Sequence, residues 1–264
     1  MSDRILVFIP CYNCEKQIPR VIARCRESVA DLISEIIVVD NGSRDGTVRA
    51  ASEALTSEQR IPWKVVTNTH NYNLGGSHKV AFAYALEHQF THVIALHGDD
   101  QADIADFAPL LRAGRHREVD ALLGSRFMAG AELLGYGAFR RFGNLVFNAL
   151  FTLVSGRAVK DIGSGLNLYG RKVFEAGDHR YAADDLTFNC FFLLRMIARD
   201  RHLAFAPIHW RESDQVSNAK LFRQAGKILK LLFDTLVSRK TLDVDRSGAG
   251  FTYQFFVAAE GGAR

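Results

Sequence analysis

The chain has 264 residues, of which 48% are hydrophobic and 23% charged, with a net charge of +4. That composition is ordinary for a soluble globular protein and supplies enough apolar material for a sizeable core, in one large domain or two small ones. The modest charge, with no long basic run, argues against a nucleic-acid binder and suits an anionic substrate or a membrane surface. Four cysteines (Cys11, Cys14, Cys25, Cys190) do not make a disulfide framework in a chain this long. Cys11 and Cys14 form a C-x-x-C with no second pair at zinc spacing, so they read as small loop residues. No secretory leader precedes the first apolar run, and no run reaches the ~18 residues of a membrane span. A reduced, cytoplasmic protein is the expectation.

Ile5-Leu6-Val7-Phe8-Ile9, closed by Pro10, reads as a buried strand. Ile18, Val21, Ile22 and Cys25 then recur at helical spacing, with Pro19 suited to the first turn. Glu35 to Val39 is a second buried strand, ending in the turn Asp40-Asn41-Gly42-Ser43. Asp45 reads as the cap of the following helix. Trp63 to Thr67 is a third strand; Asn71 to Gly76 reads as a loop and residues 77–89 as a helix. Val93 to Leu96 is the fourth strand. Strand alternating with helix in this way argues an α/β fold, with a parallel sheet covered on both faces.

That fourth strand runs into His97-Gly98-Asp99-Asp100-Gln101, and the rest of the chain is organised around this cluster. Strand ends are where open α/β sheets place a ligand crevice. Oxygen ligands such as Asp99 and Gln101 suit Mg²⁺ or Mn²⁺, which can bridge a diphosphate. Taken alone, the two acids read equally well as a helix cap.

The second half is less regular. Ala121 to Gly124 is a short strand, residues 137–155 form a helix with a basic start at Arg140 and Arg141, and Leu166 to Tyr169 is a strand after the loop Asp161-Ile162-Gly163-Ser164-Gly165. Asp184 reads as the cap of a helix to Ala198, Leu203 to Ala206 as a strand, and residues 219–240 as the last strong helical pattern.

In order along the chain, Phe8-Ile9-Pro10-Cys11-Tyr12-Asn13, the segment Ile36 to Thr47, Asn73-Leu74-Gly75-Gly76 and the region of Asp99 resemble the motif series of the family 2 glycosyltransferases. Within that family, Gly124-Ser125-Arg126, Arg140-Arg141 with Asn144, and Asp161-x-x-Ser164-Gly165 are most similar to the polyprenyl-phosphate (dolichyl-phosphate mannose) synthase-like branch. The resemblance covers about residues 4 to 218. It implies a GT-A fold, with a Rossmann-like, mostly parallel sheet flanked by helices and with C-terminal helices. It also implies an inverting, metal-dependent transfer from a nucleotide-sugar donor, a GDP- or UDP-sugar, to a lipid phosphate or to a glycan hydroxyl.

On that basis Pro10, Tyr12, Asn13, Glu15, Asp40, Asn41, Asn73, Gly75, Lys79, Asp99, Arg211 and Ser217 are expected to hold the donor. Physically, Tyr12 can stack on a base, Asp40 can accept hydrogen bonds, Gly75 and Gly76 allow close backbone approach, and Lys79 can reach phosphate. Taken singly, each has a plain structural reading as core or turn. The metal set is Asp99, Gln101 and His97. His97 stands where the family pattern carries its first aspartate, and a neutral imidazole suits Mn²⁺ better than Mg²⁺. Arg126, with Arg140 or Arg141, would stabilise the departing diphosphate. Asp185 is the candidate base for a hydroxyl acceptor, and Asp161 is expected near a lipid-phosphate acceptor.

The division expected is a catalytic domain over residues 1–218 (donor half 1–103, acceptor half 104–218), a basic amphipathic helix over 219–243 and a tail over 244–264. The helix carries Leu221, Phe222, Ala225, Ile228, Leu229, Leu232, Phe233 and Leu236 near one face, with Lys227 and Lys230 outside it. Such a helix can dock on its own sheet, or lie at the cytoplasmic face of a membrane as a peripheral anchor. Two other classes compete. A nucleotidyltransferase would carry a Gly-rich basic loop after the first strand, where this chain has Pro10 to Glu15; a non-catalytic sugar-nucleotide-binding module is compatible with the altered first acid.

Overall fold

A computed structural model describes residues 3–57, 60–212, 221–248 and 250–258. Its strands are β1 (Ile5–Cys11), β2 (Glu35–Asp40), β3 (Trp63–Asn68), β4 (His92–Leu96), β5 (Ala121–Ser125), β6 (Leu133–Leu134), β7 (Leu166–Gly170), β8 (Leu203–Pro207), β9 (Trp210–Arg211) and β10 (Tyr253–Ala258). Its α-helices are α1 (Ile18–Ser28), α2 (Thr47–Thr56), α3 (Asn73–Glu87), α4 (Ala108–Arg112), α5 (Ala138–Ser155), α6 (Arg171–Glu175), α7 (Phe188–Ala198) and α8 (Leu221–Val237).

Eight strands form one sheet in the order β10-β3-β2-β1-β4-β7-β5-β8. β1 pairs in parallel with β2 and β4, β2 with β3, and β5 with β8. β7 lies antiparallel between β4 and β5, and β10 antiparallel along β3. The sheet is thus mostly parallel, and both halves of the chain contribute to it. The segment set apart in the sequence as a tail supplies its edge strand.

Apolar residues of β1 alternate between two cores. Leu6 and Phe8 face a cluster built with α3, α6, α7 and α8, while Ile5, Val7 and Ile9 face one built with α1, α2 and α4. Burial on both faces is why these strands read as continuous apolar runs. Asp45 accepts the backbone N–H of Thr47 from one residue ahead of the cap position, which Gly46 occupies. α3 starts at Asn73, earlier than the expected loop allowed, because the first N–H groups of the helix find an acceptor in the backbone at Asp184.

Candidate active site

The loops after β2, β1 and β4 emerge side by side at one end of the sheet, because those strands are parallel neighbours. Three of the loop residues nearby, Asn13, Asn73 and Asp100, have left-handed backbones with φ of 53°, 56° and 57°. Asn and Asp tolerate that conformation better than other side chains. Buried Asp40 accepts the N–H groups of Gly42 and Ser43. Asn41 links three segments: its Oδ1 accepts from Asn68 and from the N–H of Tyr72, and its amide donates to Asn71. Asn13 Oδ1 accepts the N–H of Arg44, and Glu15 accepts the N–H of Gly46. The carbonyl of Pro10 takes the N–H of Gly98, joining the β1 loop to the acidic loop. Most of the expected donor residues therefore knit the loops to one another. Tyr12 is different: its side chain is left 39% exposed, so its ring is free to stack. An opening of about 400 Å³ flanks Asn73, lined also by His70, Tyr72, Asp184, Gly248 and Thr252.

The acids of the site differ in how their charge is balanced. Asp100 is clamped by Arg20 at 2.7 Å and by Arg211 at 3.0 Å. The carbonyl of Asp100 also takes Arg211 Nε, and the carbonyl of Gln101 takes the Arg211 N–H. Arg211 is thereby fixed against the acidic loop. Asp99 accepts only the N–H of Gln101 and has no cation on it among the described residues. Burial pushes its carboxyl up to about 6, with Asp100 and Glu212 adding to the rise. Beside it, burial and the Arg126 charge push His97 down to about 4, so the imidazole is neutral near pH 7. A partly buried carboxyl lacking a counter-charge, two residues from a neutral imidazole and from the Gln101 amide along the same loop, offers donor types that suit Mn²⁺ or Mg²⁺.

After β5, Arg126 and Asp161 form a buried two-pronged ion pair, with Nε and one terminal nitrogen each at 2.8 Å from a carboxylate oxygen. The N–H groups of Arg126 and Gly163 complete the coordination of Asp161. The Arg126 guanidinium lies 4.8 Å from the Trp210 ring and 5.6 Å from the Tyr136 ring. On Tyr136, at 4.9 Å, sits the guanidinium of Arg140, whose charge is met by both oxygens of Glu212. Asn144 donates to the Tyr136 hydroxyl. Spacing in the sequence carries no signal for Tyr136, Trp210 and Glu212, because they meet Arg126 and Arg140 only through the fold. Arg141 is exposed and carries no ion pair among the described residues.

Two glycine and lysine expectations need correction. Gly75 makes its close approach to protein: a Cβ there would meet the carbonyl of Ala183 at 2.6 Å, and its N–H donates to the carbonyl of Asp184 at 2.7 Å. The Lys79 ammonium is buried against Asp184 Oδ1 at 2.7 Å, with a second bond to the carbonyl of Ala182. It holds the chain ahead of α7 rather than reaching outward to a phosphate. Asp184 consequently does not cap α7; that helix starts at Phe188. Asp185 accepts the N–H and hydroxyl of Thr187 and pairs with Lys227. Burial would raise its carboxyl, but the bonds from Lys227 and Thr187 prevail and hold it below the usual range. A carboxylate so placed is a poor proton acceptor. Ser217 lies outside the described residues.

This sheet, with its acids at the ends of parallel strands, defines a nucleotide-binding α/β enzyme fold of the GT-A type. The chain belongs to glycosyl transferase family 2, whose sequence profile matches residues 6–177. Over 178 residues it is 28% identical to a polyprenol monophosphomannose synthase of Mycolicibacterium smegmatis, covering 67% of this chain and 65% of that protein. It is 25% identical over 186 residues to a UDP-N-acetylglucosamine–dolichyl-phosphate N-acetylglucosaminyltransferase of Methanococcus voltae, covering 66% and 73%. The first of these matches spans just under two thirds of its relative. Among solved structures, glucosyl-3-phosphoglycerate synthase of Mycobacterium tuberculosis in complex with Mn²⁺, UDP and glucosyl-3-phosphoglycerate superposes with a TM-score of 0.61 at 18% identity, covering 96% of this chain and 87% of that one. The likeness bears on fold, and the expected GT-A architecture stands.

Proposed function

We propose that the chain transfers a sugar from a nucleotide-sugar donor, a UDP- or GDP-sugar, to a polyprenyl phosphate. The observation that carries this reading is where the paired cations lie. Arg126 and Arg140 flank Tyr136 at the start of α5, and that helix turns Phe139, Phe142, Leu145, Val146 and Leu153 to solvent. Guanidinium groups beside an apolar face fit a substrate with a phosphate head and a hydrocarbon tail. A phosphate acceptor is already an anion and needs no general base, which agrees with the low basicity of Asp185. The relatives named for polyprenol and dolichyl phosphate support the same class of acceptor.

Asp99, Gln101 and His97 would hold Mg²⁺ or Mn²⁺. When bound, the ion supplies charge neutralisation to the diphosphate leaving group. Tyr12 would stack on the base, while Asp40 and Asn41 keep the loops around it in register. Arg211, fixed by Asp100, would sit beside the diphosphate. Arg126 and Arg140 would exchange their carboxylate partners for the acceptor phosphate and orient it for in-line attack with inversion.

α8 supports peripheral contact with a membrane. No described helix is long and apolar enough to cross one. Ile228, Leu231 and Leu232 are buried in the core, yet Leu229, Phe233, Leu236 and Val237 are exposed on the same helix, which packs beside α5. Burial of one face in the protein's own core and an outward apolar face thus coexist.

The test is a panel of UDP- and GDP-sugars with polyprenyl phosphate in detergent or vesicles, against soluble glycan acceptors, with Mn²⁺, Mg²⁺ or chelator. Metal-dependent release of nucleoside diphosphate that requires polyprenyl phosphate is the expected result. Turnover with a soluble hydroxyl acceptor alone would reject the lipid-phosphate reading. Donor binding without turnover on any acceptor would favour a binding module.

A further inference from the structure

We propose that Asp3, His92 and His116 form a second, structural metal site for a borderline divalent ion such as Zn²⁺, at the end of the sheet opposite the donor loops. The three come from separate segments: the residue pair ahead of β1, the first position of β4, and the 3₁₀ turn Arg115–Arg117. One ligand atom from each lies within 4.8 Å of the others. His92 and the acidic loop are separated by the length of β4, about 16 Å for five residues. The site is therefore independent of Asp99.

His116 is 1% exposed. Its Nε2 lies 2.7 Å from Asp3 Oδ2, and its Nδ1 is buried with no hydrogen-bond partner. Arg117 Nε donates to the same oxygen of Asp3 at 2.9 Å, and Asp3 Oδ1 accepts no hydrogen bond among the described residues. The His92 ring meets the His116 ring edge-on, with centroids 4.9 Å apart.

His92 Nδ1 lies 2.9 Å from the Thr91 hydroxyl, which also lies 3.1 Å from the carbonyl of Arg4 and accepts the N–H of Arg4. In the tautomer whose Nδ1–H donates to that hydroxyl, the lone pair on His92 Nε2 is available to a metal ion. Orientation of a ligating imidazole by a bond to its other nitrogen is the usual support for a metal ligand. Burial, with the neighbouring His116 and Arg117, pushes His92 down to about 4, so the ring is uncharged near pH 7. Two imidazole ligands and one carboxylate match Zn²⁺ and its surrogate Co²⁺ far better than Mg²⁺. A bound ion would fasten the start of the chain and the 115–117 turn to β4.

The test uses the full chain carrying Asp99→Asn, which removes the other metal site, after chelator treatment and desalting. Zn²⁺ is titrated by calorimetry, and Co²⁺ by visible absorption. The expected result is one ion per chain, tetrahedral Co²⁺ bands and a melting temperature that rises with Zn²⁺. Adding Asp3→Asn or His92→Gln should weaken binding at least tenfold and abolish the thermal shift. These two positions are used because His116→Ala opens a hole in a buried site and would report on folding as well as on binding. In the otherwise wild-type chain, Asp3→Asn should leave Mn²⁺-dependent turnover unchanged. No binding of Zn²⁺ or Co²⁺ by folded protein, or unchanged affinity in both variants, would overturn the site.

Discussion

At the scale of single residues, the site is organised by which charges are balanced. Asp99 carries no cation among the described residues, and its folded value near 6 lies above the 3.8 of an unfolded chain. Such a group costs stability progressively as pH rises from about 4 to 6 and fully above that. Asp99→Asn should therefore abolish transfer and, without metal at pH 7, raise stability by about 1–3 kcal/mol. Turnover and urea midpoints measured together check this; wild-type activity or a lowered midpoint would contradict it. Asp161 is the opposite case, since it neutralises a buried guanidinium. Asp161→Asn should destabilise by roughly 3–5 kcal/mol through the stranded Arg126. Arg126→Met combined with Asp161→Leu should recover most of that loss in a urea titration yet remain inactive. Asp99 was legible in the sequence because it ends an apolar run. The clamp on Asp100 was not, because Arg20 and Arg211 lie 80 and 111 residues away and only folding brings them there.

At the scale of elements, the strand–helix alternation of the first half was readable because parallel strands buried on both faces are unbroken apolar runs. β7 was readable as a strand but not as a reversed one, since direction is set by connections and not by composition. The start of α3 at Asn73 is not legible in the sequence because Asn and Gly at residues 71–76 mark a turn, while the acceptor that supports the helix start, the backbone at Asp184, is far along the chain. The amphipathic pattern of α8 was plain, but the pattern alone could not show that its apolar stripe is wide enough to face two ways. Phe142 on α5 and Phe233 on α8 are 67% and 65% exposed, so charging them should change folding by no more than about 0.5 kcal/mol. Phe142→Asp with Phe233→Asp should nevertheless abolish co-sedimentation with anionic liposomes, and Lys227→Glu with Lys230→Glu should weaken it most at low salt. Liposome binding by the Phe142 and Phe233 double variant equal to wild type would remove both helices from membrane contact.

Across the whole molecule, the buried histidines set an acid limit. Burial pushes His78 and His179 down to about 3 each, His78 despite its bond to the carbonyl of Leu74. The unfolded chain takes up these protons near 6.5 and the folded one does not, so stability falls as pH drops from 6.5 toward 3. At pH 5 the loss is about 2 kcal/mol for each histidine. Urea midpoints at pH 7 and pH 5 should show it, and His78→Phe should flatten the dependence; an equal slope in both proteins would exclude His78 as a source. The order of the sheet has one more consequence, which concerns how the chain is made. The outer edge of β3 is covered by β10, whose Tyr253 pairs with Asn68. β1, β2 and β3 are thus synthesised long before the strand that shields them. Until residues 253–258 are translated, β3 presents a bare row of backbone donors and acceptors on which another nascent chain could add a strand. Pairing so distant in sequence also forms slowly. A ribosome that stalls before residue 253 would release a chain able to build most of its core but still open to edge-to-edge polymerisation.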